Sequence, residues 1–204
     1  MPALNKDLLR EELKRCEIRP AYLLYGAETY LRDGAAKYIS QQAFGEGDFR
    51  DLNETTFNLT TDADVLRHAI AAAEQLPMMA SRRLVRVTGV RISATGFRDT
   101  VIEDHDDLLR SYLASPSPSS IVVFVADELN GNRKMSKLLK ELCTAVEFTP
   151  LSDVELVEWA RTAFAKLGAS ASDAVIHLLV ARVGADLHRL GNEINKVAAA
   201  ALPS

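Results

Sequence analysis

The chain has 204 residues, 48 % of them hydrophobic and 25 % charged, which suits one compact domain with a smaller satellite. Its 24 Lys and Arg against 28 Asp and Glu leave a net charge of −4, so any DNA contact belongs to a local patch or an assembly rather than to the whole surface. No apolar run reaches the roughly 18 residues of a membrane span, and the polar start MPALNKDLLREELKRC is not a signal peptide.

Leu4 to Cys16 reads as an amphipathic helix with Leu8, Leu9 and Leu13 on one side, broken by Arg19-Pro20. AYLLYG (Ala21–Gly26) is apolar enough for a strand buried on both faces. A helix from Glu28 to Ala43 ends at Gly45 and Gly47. Phe49–Asn58 alternates as a strand does, and Thr61-Asp62 caps a helix through Ala73. Arg82–Val90 is a third strand, Asp99–Ala114 a helix, and Ser115–Ser120 a loop. Ile121–Asp127 (IVVFVAD) is the cleanest strand; Arg133–Cys143 is a helix and Ala145–Pro150 a last short strand. Strands alternating with helices to residue 150 predict a parallel sheet covered on both faces.

After Pro150 no strand is expected. Ser152 and Glu155 form a capping box that opens a helix through Trp159 and Phe164 to Gly168. Two more helices follow, at Asp173–Val183 and from Asp186 through Asn195 to Ala201. The expected architecture is an α/β domain (residues 1–150) followed by a small three-helix domain (residues 151–204), and the bare end AAAALPS suggests a fragment of a longer chain.

The first strand–loop–helix is where a G-x-x-x-x-G-K-[ST] phosphate loop belongs. Counting from Gly26, the second glycine position holds Leu31, the lysine position Arg32 and the hydroxyl position Asp33. Leucine obstructs the close backbone approach and aspartate repels a triphosphate, so the site reads as degenerate. Asp127-Glu128 resembles a Walker B pair, but without a phosphate loop it reads as turn or capping residues. Glu103, Asp104, Asp106 and Asp107 sit early in a helix, where carboxylates suit the dipole without any metal. His68, His105, His177 and His188 lack ligand spacing, and no G-x-S-x-G elbow appears. Cys16 and Cys143, the only cysteines, fit a reducing cytoplasm without a zinc framework. No catalytic residue, cofactor or metal is expected. Arg133, Lys134, Lys137 and Lys140 make one helix basic, either a solvated face or a patch for an anionic partner.

In IAAAEQLPMMASRRLVRV (Ile70–Val87) a small-residue helix ends at Gln75-Leu76 and a proline-marked turn presents Met78 and Met79 just before a strand. Apolar character makes both methionines candidates for the core. Their placement in a turn suits one-sided burial poorly and leaves at least one available to a partner.

AYLLYGAETYLRD, EQLPMMASRRLVRV, SPSPSSIVVFVADELN, VEFTPLSDVELVEWA and GADLHRLGNEINKVA together resemble, in order and spacing, the delta subunit of the bacterial DNA polymerase III clamp loader. The resemblance implies a cytoplasmic, non-catalytic subunit of a DNA-directed DNA polymerase holoenzyme. Its fold would be an AAA+-type, P-loop-NTPase-like α/β domain, a helical lid, and a collar domain absent from this sequence. It implies binding of the sliding clamp (the beta subunit) through Met78 and Met79, with Leu76, Pro77 and Arg82 in support, where leucine or phenylalanine is the usual pair. It implies tau/gamma and delta-prime as partners, DNA only within the assembled complex, and no membrane. In the fold's Walker B strand the acidic positions would hold Thr88 and Gly89, and the sensor-2 arginine position Leu187, with Arg189 close by. A divergent nucleotide-binding enzyme and a DNA-binding adaptor are the alternatives.

Overall fold

In the unit Met1–Phe148 the order is α1 (Lys6–Lys14), β1 (Ala21–Tyr25), α2 (Thr29–Ala43), α3 (Arg50–Asn53), β2 (Glu54–Asn58), α4 (Val65–Glu74), β3 (Arg83–Ile92), α5 (Asp106–Ala114), β4 (Ser120–Leu129), α6 (Lys134–Leu142) and β5 (Thr144–Glu147). The unit Thr149–Ser204 holds α7 (Asp153–Lys166), α8 (Asp173–Val183) and α9 (Leu187–Ala201). These come from a computed structural model that describes residues 4–62 and 64–201; the closing Leu-Pro-Ser and Ala63 lie outside the described residues.

The five strands form one parallel sheet in the order β2-β3-β4-β1-β5. β1 lies between β4 and β5, with Leu23 opposite Phe124 and Ala145, and every one of its residues is buried. Side chains along a strand alternate between faces. Leu23, Val85, Val87 and Phe124 accordingly pack with residues of α4, α5 and α6, whereas Tyr22, Leu24, Leu84 and Val123 pack with residues of α1 and α2. Two apolar layers therefore sandwich the sheet, as the near-continuous apolar runs of β1 and β4 require.

Several expected elements move. Leu8 is exposed while Leu9 and Leu13 are buried, so the α1 stripe is narrower than predicted. Phe49–Asn58 is not one strand: Arg50–Asn53 makes a helical turn before β2 begins. Thr61 and Asp62 belong to the turn before α4, where the Thr61 hydroxyl donates to the Asn58 carbonyl and Asp62 accepts from the Asp64 amide. Asp99 is not helical; its carboxylate accepts from the Ser93 amide and hydroxyl, and α5 starts only at Asp106 after a short 3-10 turn. β4 continues to Leu129, which places Asp127 and Glu128 inside the strand. In the second unit the Ser152–Glu155 capping box is present, and Leu156, Phe164, Ile176, Leu190 and Ile194 form the buried side of the three helices.

Candidate functional site

α4 ends at Glu74, and the chain crosses to β3 through Gln75–Arg82. Within that crossing Leu76, Met78 and Met79 are exposed, Met79 at 72 %, while Pro77 and Arg82 are half-buried. Neither methionine is core. The segment is nevertheless firmly held. Asn53, fully buried at the end of α3, accepts from the Met78 amide at 2.7 Å and donates to the Met78 carbonyl at 2.7 Å and the Phe49 carbonyl at 2.8 Å. The Phe49 amide donates to the Met79 carbonyl, and the guanidinium of buried Arg83 donates to the Leu76 carbonyl, both at 3.4 Å. Asp48 accepts from the Gly45 amide and from the amide and hydroxyl of Ser81, and the Gly45 bond leads in holding its carboxyl below the usual aspartate value. Met79 itself has φ +51, in the left-handed region that favours glycine or asparagine.

Phe49 and Leu52 are also about half exposed. Reading Phe49–Asn58 as a strand hid them; an i, i+3 apolar pair flanking Arg50-Asp51 was the available signal. Asn53 left no signal, because its partner Met78 lies 25 residues away.

The β1–α2 connection lies at the opposite end of the sheet. α2 starts at Thr29, so Leu31, Arg32 and Asp33 stand in its first turns rather than in an open loop. Glu28 caps the helix, its carboxylate accepting from the Tyr30 amide at 3.1 Å, where a phosphate would otherwise find that amide. Gly26 has φ +122, and a Cβ there would stand 2.2 Å from the Phe148 carbonyl oxygen. Arg32 is buried; it donates to the Ala126 carbonyl at 2.8 Å and pairs with Asp33 at 2.9 Å and Asp127 at 3.1 Å. Two carboxylates thus offset one guanidinium, and the cation in the lysine position is already bonded within the protein.

The other sequence candidates do not converge. On β3, which pairs with β2 and β4, the Thr88 hydroxyl bonds the Phe57 carbonyl and Gly89 packs against Asn58 and Thr60. Leu187 is buried and Arg189 exposed. Glu128 pairs with Arg91. Along α6, Arg133 pairs with Asp99, Lys134 with Asp106, and Lys140 stands over the Tyr25 ring at 4.3 Å, so the basic face is largely tied to its own surroundings. Burial pushes the Cys143 thiol up, away from a reactive thiolate. Among the described residues no three His, Cys, Asp or Glu side chains cluster to hold a metal, and no helix is long and apolar enough to cross a membrane.

The family model for the DNA polymerase III delta subunit matches residues 22–149. DNA polymerase III subunit delta of Bacillus subtilis (strain 168) is 31 % identical over 193 residues, which span 92 % of this chain and 54 % of that protein. The solved structure of the B. subtilis DNA clamp loader delta protein is 28 % identical with a TM-score of 0.71, covering 94 % of this chain and 56 % of that one. A DNA replication initiation factor, 11 % identical with a TM-score of 0.51 over 94 % of this chain and 59 % of its own, shares the fold alone. The chain thus spans about half the length of the delta proteins it matches. With the family model matching residues 22–149 and a curated delta subunit 31 % identical over 92 % of it, the chain belongs to the DNA polymerase III delta subunit family.

Proposed function

We propose that this chain is the clamp-contacting part of a clamp loader subunit, non-catalytic in itself. It would seat Met78 and Met79 in an apolar groove of the ring-shaped sliding clamp and help open the ring for loading onto primed DNA. Leu76, Pro77 and Arg82 border the contact. Met79 carries this reading. An exposed side chain gains nothing from the core, and a non-glycine residue in the left-handed region costs about 1–2 kcal/mol. Glycine would serve the turn better, so an exposed methionine there supports a contact outside the chain. Thioethers adapt to apolar grooves, and two adjacent side chains inserted in a pocket can dominate a modest interface.

Opening follows if the contact is tighter on the opened ring than on the closed one, since a ligand shifts an equilibrium only by its differential affinity. The internal pairing of Arg32 and the capping of α2 by Glu28 support a subunit that uses no nucleotide of its own. ATP would act in the tau/gamma subunits, with delta-prime completing the assembly and DNA met only there.

The test is titration of the sliding clamp, without ATP, into the wild type and Met79→Gly. The variant is expected to melt higher, because strain is relieved, and to bind more weakly, because the contact is lost. Unchanged affinity in Met79→Gly would remove the proposed role of its side chain.

A further inference from the structure

We infer that the α3 turn is the second half of the docking surface, with Phe49 and Leu52 packing on the clamp beside Met78 and Met79 and with Asn53 as the positioning residue between the two segments. This inference rests on the clamp-contact reading above. α3 is a single helical turn, too short to be stable on its own account, and its two large apolar side chains stay half exposed rather than serving the core. What holds the turn is the methionine segment. All three side-chain bonds of Asn53 go to peptide groups of Phe49 and Met78, and the Phe49 amide reaches Met79.

The bonding pattern also decides what faces outward. Peptide groups of both segments are consumed between them, while Leu76, Met78, Met79, Phe49 and Leu52 remain on the solvent side. Five apolar side chains on a hydrogen-bonded frame fit a broad apolar groove better than one pocket for a pair. The frame is anchored behind as well. Glu54, next after Asn53, bonds the guanidinium of Arg50, the Ser40 hydroxyl and Arg86. These bonds tie the turn to α2 and β3, so the surface is set before the partner arrives and less ordering is left to offset its contacts.

The experiment compares clamp binding by the wild type, Met78→Ala/Met79→Ala and Phe49→Ser/Leu52→Ser, with thermal melts of each. The expected result is that the Phe49/Leu52 variant melts as the wild type does and binds at least about fivefold more weakly. If it binds within about twofold of the wild type while the methionine variant loses binding, the inference is overturned and the clamp-contact reading stands. If the folded wild type does not bind the clamp at all, that reading fails and the inference with it. The positioning role is read separately from the ε-methyl NMR signals of the methionines in Asn53→Ser. Met78 and Met79 should shift toward averaged positions and clamp association should slow, with buried Met135 unmoved as the control. Unmoved Met78 and Met79 signals, or movement of Met135 along with them, would overturn it.

Discussion

Two connections, at opposite ends of the same parallel sheet, each contain a residue with positive φ: Gly26 after β1 and Met79 before β3. At Gly26 backbone and side chain agree, because no Cβ fits against Phe148. At Met79 they disagree, because the backbone favours glycine and the residue is large, apolar and exposed. The carboxyl end of an open α/β sheet is where ligands usually bind. Here, at β1, that end has turned its charges on itself, through Arg32 with Asp33 and Asp127, while the amino end of β3 holds apolar side chains outward. At Gly26 the agreement between local preference and residue type is structural, whereas at Met79 the conflict is what motivates the proposed contact.

The contrast is most directly broken by Met78→Ala/Met79→Ala. Clamp affinity measured by calorimetry should fall by about 100-fold, as for the loss of two central contacts, with the melting temperature unchanged. Gly26→Ala should do the opposite, costing about 3 kcal/mol or more in urea unfolding because the Cβ meets backbone that cannot swing aside. Glu54→Gln should cost about 1–2 kcal/mol through its weakened bonds to Arg50 and Arg86.

Burial acts to raise the Glu54 carboxyl, but the bonds from Arg50 and Ser40 and the charges of Arg50 and Arg86 outweigh it and hold the pKa below 4.5. Its stabilisation is therefore full above pH 4.5 and lost as pH falls through the folded value, so the stability difference between wild type and Glu54→Gln should shrink across acid melts. Met79→Gly should raise stability by about 0.5–1 kcal/mol, strain relief less the added freedom of the unfolded glycine. Magnesium–ATP, finally, should leave the melting temperature where it is; a saturable rise would mean that the β1 end still holds a ligand.

The apolar runs of β1 and β4 and the Ser152–Glu155 box were legible in the sequence because each is local: a continuous buried strand and a cap state themselves within a few residues. The two methionines were visible as an oddity of placement. Their placement already left at least one available to a partner; that both are exposed was not legible, since apolar character points to the core as readily as to a partner. α3 was missed because one helical turn is too short to show a period, and the polar residues around Phe49 and Leu52 imitate alternation. The end of the Asp99 reading has the same cause: Ser93 and Arg133 decide that residue's conformation, and neither is a helical neighbour. The positive φ of Met79 and the bonds of Asn53 depend on segments brought together only by the fold.

Glu28 has a consequence for how the chain can vary. Its carboxylate extends α2 back to Thr29 and so turns part of the stretch that could wrap a phosphate into helix. Replacing Leu31, Arg32 and Asp33 with glycine, lysine and serine would restore the lettering of a phosphate loop, yet Glu28 would still cap the helix and Asp127 would still wait beside the new lysine. A phosphate-binding loop at this position therefore demands several changes made together, because the cap and the neighbouring carboxylate act independently of the loop's own residues.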